Sequence, residues 1–350
     1  MSSAQASKML NPQSQVTFRF TDGVEHAVVA MPGQTLLDAA REHEVPVLWQ
    51  CLTGSCASCV CKVEQGEVEM DSSCLVSLLP SEVREGQRLA CNAYAYSDTV
   101  VQLDYASTFS DDHVAHQDTA EVTEVEFVNH NTVRLVMQLP DDSEFDDFEP
   151  GQYVMLQVPG TEEWRSYSMA STPRDLPEMT FYIRVLEQGV MSDYLRNRCA
   201  PGDKIPVDGA YGVFYLREEK VPQIMIAGGT GLAPMLSMID CLRTNNFRRK
   251  PITLAFGCSQ ERDLFALDEL AMRSDWMRNL DVRTCISRPA GDWEGLSCRA
   301  QFAINAEDIS DENTIAYLCG PPAMTEDAKA HLVGLGVKPE NIHVELFESL

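Results

Sequence analysis

Cys51, Cys56 and Cys59 follow one another as C-x4-C-x2-C, and Cys91 comes after a long interval. Four thiolates at this spacing are the ligation pattern of a plant-type [2Fe-2S] cluster, which requires a tight loop around a small inorganic core. The intervening residues suit such a loop. Gly54, Ser55, Ala57 and Ser58 carry little or no side chain, so backbone N–H groups can reach the sulfurs, stabilise the reduced cluster and tune its potential. Structural zinc is the rival reading, although it usually takes two C-x2-C pairs and only Cys56/Cys59 forms one. A set of buried free thiols is the other alternative. Cys61 and Cys74 fall outside the pattern and read as small apolar fillers.

A chain of 350 residues predicts two or three domains. Its 53 acidic residues against 27 basic ones give a formal net charge of -26. That surface repels nucleic acid and anionic lipid, so neither is expected as a partner. It fits salt adaptation or docking to a basic protein patch. The first fifteen residues lack the basic-then-apolar pattern of a secretion signal, and no apolar run approaches the roughly 20 residues of a membrane span. The chain therefore reads as cytoplasmic, where twelve cysteines are expected to be reduced and clustered spacings point to metal binding or catalysis.

Residues 15–106 begin with two strand-like runs, VTFRF and HAVVA, joined by the turn Thr21-Asp22-Gly23. A short helix, QTLLDAAREHE, follows with Thr35 as its N-cap. The cysteine loop and two more short strands complete a small α+β domain. Residues 107–118 read as a linker. Residues 119–218 alternate apolar and polar in AEVTEVEFV, TVRLVMQL, QYVMLQV and MTFYIRV, which predicts an antiparallel β-barrel. From residue 221 to 350, strand-like QIMIA, ITLAF, DVRTCI and TIAYLC interleave with helical segments, which predicts a doubly wound parallel α/β sheet.

Three motifs after the linker carry further chemistry. Arg165-Ser166-Tyr167-Ser168 ends a barrel strand and offers a guanidinium for phosphate, a flat aromatic for an isoalloxazine and a hydroxyl near its N5; a plain edge strand is the bland alternative. Gly189-Val190-Met191-Ser192 opens a helix, SDYLRNR, whose free N–H groups and dipole suit a pyrophosphate, or is merely a Ser-capped helix start. Gly228-Gly229-Thr230-Gly231-Leu232-Ala233-Pro234 sits between a strand and a helix, where glycines let the backbone approach a dinucleotide. Cys319-Gly320-Pro321-Pro322 ends a later strand, at the carboxyl edge where such sheets bind ligands. Cys319 has a buried structural thiol as its competing reading.

Taken together, RSYS, GGTGLAP and CGPP after a plant-type cysteine set resemble the ferredoxin-NADP reductase superfamily. The closer resemblance is to the fused reductase components of bacterial multicomponent oxygenases, of the benzoate or toluate dioxygenase and xylene or methane monooxygenase type. It covers residues 15–350 and implies a β-grasp ferredoxin domain, an FAD-binding barrel and an NAD(P) domain, with electrons passing from NAD(P)H through FAD and the cluster to a terminal oxygenase. Arg165 and residues 189–192 would hold the FAD pyrophosphate, Tyr167 would flank the isoalloxazine, and Ser168 would hydrogen-bond its N5 edge. Residues 228–234 would bind the pyridine nucleotide, Cys319 would line the nicotinamide site with Gly320 and Pro321 beside it, and Phe347 would cover the flavin. Ala57 replaces a glycine common in the family's cluster loop, a change expected to be tolerated sterically, and Ala210 stands where a proline is common. Glu261 and Asp263 disfavour a 2′-phosphate, whereas Ser287-Arg288 resembles a phosphate-binding pair; with the acidic loop weighted more, NADH is favoured. A non-oxygenase partner, as in deoxysugar-forming dehydratase systems, is the alternative acceptor. A redox-sensing module without turnover is disfavoured by the presence of every cofactor motif.

Overall fold

At Thr21-Asp22-Gly23 the chain turns with Gly23 at φ +84° and the Asp22 carboxylate accepting from Val24 N at 3.1 Å, so the two flanking runs pair as a hairpin. The computed structural model describes residues 13–71, 77–109, 115–217, 220–245, 250–291 and 293–347, and the chain divides into two units, residues 1–114 and 115–350. In the first unit, β1 (Ser14–Arg19) and β2 (Glu25–Ala30) form the hairpin. They are joined by β3 (Val60–Gln65), β4 (Val68–Met70), β5 (Gln87–Leu89), β6 (Ala93–Ala95) and β7 (Thr99–Gln102). The main sheet runs β2-β1-β7-β3-β5, with β1 and β7 parallel and the other pairs antiparallel, while β4 and β6 pair separately. Helix α1 (Leu36–Glu42) buries Leu36, Leu37, Ala39 and Ala40. Thr35 caps it as expected: Asp38 N donates to Thr35 Oγ1 at 3.0 Å, and Thr35 N donates to the Asp38 carboxylate at 3.1 Å. Where two further strands are expected there are five, because three-residue strands are too short to carry a period. A second short helix, α2 (Pro80–Arg84), precedes β5.

The second unit opens with β8 (His116–Phe127), which starts inside the segment expected as linker; residues 110–114 lie outside the described residues. It continues through β9 (Thr132–Gln138), β10 (Tyr153–Gln157), β11 (Trp164–Ser168), β12 (Glu178–Arg184) and β13 (Lys204–Tyr211). These make a six-stranded antiparallel sheet, β11-β10-β13-β8-β9-β12. The chain just beyond β11 donates from Ala170 N to Thr180 O of β12 at 2.8 Å, so the two edges meet and the sheet is barrel-like. Helix α3 (Val190–Asn197) plugs it with Met191, Tyr194 and Leu195. β13 was not foreseen, since Pro206 and Gly209 are poor strand formers that mask the alternation of Ile205 and Val207 with Lys204 and Asp208.

The remaining strands are β14 (Gln223–Gly228), β15 (Ile252–Cys258), β16 (Leu280–Ile286), β17 (Ile315–Gly320) and β18 (Ile342–Leu346), all parallel in the order β16-β15-β14-β17-β18. With α4 (Leu232–Thr244), α5 (Leu267–Trp276) and α6 (Pro322–Leu335) this is the expected doubly wound sheet. Every residue of β17 is buried, as a strand covered on both faces requires. The strand order reverses between β14 and β17, and the carboxyl ends of those two strands form the switch-point crevice where such sheets take ligands.

Candidate functional site

In the first unit, the loop from Cys51 to Cys59 runs between α1 and β3, and Cys91 sits in a 3-10 turn, Ala90–Asn92, after β5. Backbone N–H groups do approach the sulfurs: Thr53 N and Ser55 N lie 3.4 and 3.3 Å from Cys51 Sγ, and Cys91 N lies 3.4 Å from Cys59 Sγ. Ser77 pins the loop by donating twice to Gly54 O, at 2.9 and 2.7 Å. The thiols pair two by two. The Cys56 thiol donates to Cys51, which this bond above all draws down to about 3, while Cys56 itself is raised by the same bond and by burial. The Cys59 thiol donates to Cys91 in the same way, lowering Cys91 and raising Cys59. Across the pairs, Cys91 feels the charge of Cys51, and Cys59 that of Cys56. Among the described residues no three His, Cys, Asp or Glu side chains form a group for a single metal ion. Two pairs of sulfurs suit a two-iron core, which takes two protein ligands on each iron.

Ala57 is held at φ +55°, in the left-handed region that favours glycine. Its replacement of glycine is therefore constrained by backbone conformation rather than by space. Cys61 is buried on β3 and burial pushes its thiol up to about 12, which makes it inert filler as expected; Cys74 lies outside the described residues.

In the second unit, Ser168 at the end of β11, Cys319 in β17 and Glu345 in β18 converge. Ser168 Oγ donates to Glu345 Oε2 at 3.0 Å, and Cys319 Sγ donates to the same oxygen at 3.9 Å. Cys319 and Glu345 are register partners across β17 and β18. Burial pushes the Glu345 carboxyl up to about 8, against the pull of its two donors, and pushes the Cys319 thiol well up. Two residues earlier, the His343 ring stacks on Tyr317 with centroids 5.5 Å apart, and burial drives it down to about 3. Sequence reasoning missed Glu345 and all of β18, because IHVEL carries His and Glu where a buried strand normally carries apolar residues. Phe347 continues the ladder, donating from its N to Gly320 O at 2.9 Å, and packs half-buried against the nucleotide-sheet core.

Tyr167 packs beside the barrel core and burial raises its phenol. Arg165 is turned to Glu163, and its Nη1 donates to Trp164 O at 2.9 Å; Ser166 is exposed. Helix α3 starts at Val190 rather than Ser192, because Gly189, at φ +140°, is its N-cap. The free N–H groups of its first turn therefore belong to Val190, Met191 and Ser192. The Met191 side chain is buried in the barrel, and Ser192 Oγ accepts from Leu186 N at 2.9 Å, so this segment can meet an anion only through its backbone.

Gly228, Gly229 and Thr230 are half-exposed between β14 and α4, while Leu232, Ala233 and Pro234 are buried. A Cβ on Gly231 would collide with the Cys319 carbonyl, and one on Gly320 would lie 2.7 Å from Met324 Cε. The two motifs thus touch backbone to backbone at the switch point, with Pro321 capping α6. Of the acidic pair after β15, Asp263 is otherwise engaged: its carboxylate accepts from Gln260 N at 2.9 Å and lies 3.6 Å from His130 Nε2. Glu261 is exposed. Ser287 N and Arg288 N donate to Cys258 O and Ser259 O, at 3.0 and 2.9 Å, which places that pair beside the same loop. Among the described residues no helix is long and apolar enough to cross a membrane.

Three family models match in tandem: a 2Fe-2S iron-sulfur cluster binding domain over residues 20–96, an oxidoreductase FAD-binding domain over 119–215 and an oxidoreductase NAD-binding domain over 225–330. The chain is 32% identical over 336 residues to the anthranilate 1,2-dioxygenase electron transfer component of Acinetobacter baylyi, covering 95% of this chain and 96% of that protein. It is 33% identical over 328 residues to the propane 2-monooxygenase reductase component of Mycolicibacterium goodii, covering 90% and 92%. A cytochrome P450 reductase from Amycolatopsis superposes with a TM-score of 0.69 at 28% identity, covering 95% of this chain and 98% of that one. The protein binds a [2Fe-2S] cluster, FAD and a nicotinamide dinucleotide, and it belongs to the family of iron-sulfur flavoprotein reductases that includes these electron transfer components.

Proposed function

We propose that this protein takes a hydride from NADH and delivers the electrons singly, in the cytoplasm, to a terminal oxygenase component of the Rieske or di-iron kind. The observation that carries the reading is the convergence of Ser168, from the barrel, with Cys319 and Glu345, from the parallel sheet, on one buried carboxyl oxygen. Flavin and nicotinamide have to meet where those two lobes share a wall. Bound FAD and the cluster supply the redox chemistry, the first taking two electrons and the second carrying one at a time.

The chain's own residues position these groups and handle protons. Cys51 and Cys56 hold one iron and Cys59 and Cys91 the other, in a ferredoxin part (15–106) joined by a linker (107–118) to the flavin (119–218) and nucleotide (221–350) parts. Arg165, released from Glu163, and the N–H groups of Val190, Met191 and Ser192 beyond Gly189 hold the FAD pyrophosphate. Tyr167 and Phe347 flank the ring system. Gly228 to Ala233 bring backbone to the dinucleotide, Pro234 shapes the helix start, and Cys319, Gly320 and Pro321 line the nicotinamide site. At neutral pH Glu345 retains its proton and accepts from Ser168 Oγ through Oε2, which fixes the hydroxyl where it would hydrogen-bond the edge of a bound flavin. The exposed Glu261 supports NADH over NADPH.

The names of the relatives support an oxygenase as acceptor. The similarity to the Amycolatopsis reductase favours a second reading, in which the acceptor is a cytochrome P450. Anaerobic titration of the holoprotein with NADH, followed in the visible and by EPR, tests the chain of carriers. NADH should bleach the flavin and raise a [2Fe-2S] signal, which a purified acceptor then discharges. Bleaching without cluster reduction would overturn the reading.

A further inference from the structure

Arg88 and Arg19, two cations of the first unit, are held in different ways. Among the described residues the Arg88 guanidinium donates only to backbone carbonyls, those of Val68 at 3.3 Å, Val83 at 2.8 Å and Gln87 at 2.7 Å, and to no carboxylate. Arg19, by contrast, is paired with both Glu25 and Glu64. Residues 1–106 carry 13 acidic and 6 basic side chains, so an unneutralised cation here is set against its surroundings.

Its position ties that charge to the cluster loop. In the ladder between β3 and β5, Arg88 lies opposite Cys61 and Leu89 opposite Val60, and Ala90 N then donates to Cys59 O at 2.9 Å. One strand spacing, about 4.8 Å, separates the two backbones. Cys59 is therefore two residues before Cys61, just ahead of the facing strand, and Cys91 is three residues after Arg88, in the turn that follows its strand.

We propose that Arg88 sets the potential of the [2Fe-2S] cluster: its carbonyl-held, unneutralised charge stabilises the extra electron of the reduced form and makes the cluster a better acceptor from the flavin. The inference rests on the ligand assignment proposed above. A unit charge about 10 Å from a redox centre, at an effective dielectric near 20, moves such an equilibrium roughly tenfold.

Potentiometric EPR titration of the full-length holoprotein tests it, with Arg88→Gln, Arg88→Lys and Gln87→Glu beside the parent. Arg88→Gln should keep the signal shape but lower the reduced-to-oxidised ratio at the parent midpoint about tenfold, which is about 59 mV for a one-electron couple. Arg88→Lys, which restores charge without the three-carbonyl fork, should recover most of that shift, whereas a purely structural role predicts that both variants fall together. Gln87→Glu leaves Arg88 in place and adds a carboxylate one residue away, so it should shift the ratio in the same direction by less. An intact signal with an unchanged ratio in Arg88→Gln overturns the proposal, as does a joint fall of both Arg88 variants. If Arg88→Gln fails to assemble a cluster, Gln87→Glu decides, and an unchanged ratio there overturns it. A parent protein with no [2Fe-2S] signal would instead sink the ligand assignment, and this inference with it.

Discussion

Replacing Glu345 by Gln should remove a pH-dependent weakness from the flavin–nucleotide unit. The carboxyl is buried and its pKa rises from 4.5 to about 8. The folded chain therefore keeps a proton that the unfolded chain releases, and the associated stability is full below pH 4.5 and is lost as pH climbs to about 8. At a little over 1 kcal/mol per pH unit, the whole window is worth roughly 5 kcal/mol, and the two units between pH 5.5 and 7.5 about 3 kcal/mol. His343 works in the opposite sense, since its pKa falls from 6.5 to about 3 and its contribution is lost as pH drops. It is present in both proteins and cancels in their difference. For a unit of this size, 1 kcal/mol moves the melting midpoint by roughly 2–4 °C. Melting followed by circular dichroism should thus find the variant gaining roughly 5–10 °C on the parent between pH 5.5 and 7.5. A gap that stays constant across that range would refute the burial argument.

Cys91→Ser should abolish the reduced-cluster EPR signal yet leave FAD binding and NADH–ferricyanide activity largely intact; loss of FAD would show that the two units are not separable. Ala57→Gly should raise the temperature of cluster loss slightly: removing the Cβ from a left-handed position relieves about 1–2 kcal/mol, offset by about 0.4–1 kcal/mol of glycine chain entropy, and a clear fall would contradict the φ argument. Glu261→Gln should narrow the preference for NADH, read as the ratio of kcat/KM values, and an unchanged ratio would refute Glu261 as the source of the discrimination. With 53 acidic residues against 27 basic ones, transfer to the acceptor should slow steeply with salt, since exposed charges are screened beyond about 8 Å, while NADH-to-flavin reduction barely changes. Stopped-flow rates across an ionic-strength series decide, and a flat transfer rate would assign the acidity to solubility instead.

The cluster loop was legible because ligand spacing is a covalent constraint written along the chain, and the N–H approach to Cys51 follows from the small residues between the ligands. The order of a mixed domain, an antiparallel sheet and a parallel sheet was legible from the change in hydrophobic period. Glu345 was not. Its strand reads as surface because two of five residues are ionisable, and only the sheet shows that two donors hold Glu345 and that His343 stacks on Tyr317. Asp263 misled in the other direction: as sequence it is a free acid near a ribose, while in the fold it caps the turn at Gln260 and faces His130. The same local bond, from Leu186 N to Ser192 Oγ, removes Ser192 from the side chains a ligand could use.

The backbone contact between the loops at Gly231 and Cys319 limits how this reductase can be re-engineered. Gly231 cannot accept a side chain without displacing the Cys319 carbonyl, so these two positions behave as a single mutational unit and saturation of Gly231 should return mostly inactive clones. Variation that survives should concentrate at the rim, around residues 259–263 and 287–288, where Glu261 and Arg262 are open to solvent. A library aimed at exchanging the coenzyme would then sample preference at the rim while the floor that grips the dinucleotide stays fixed.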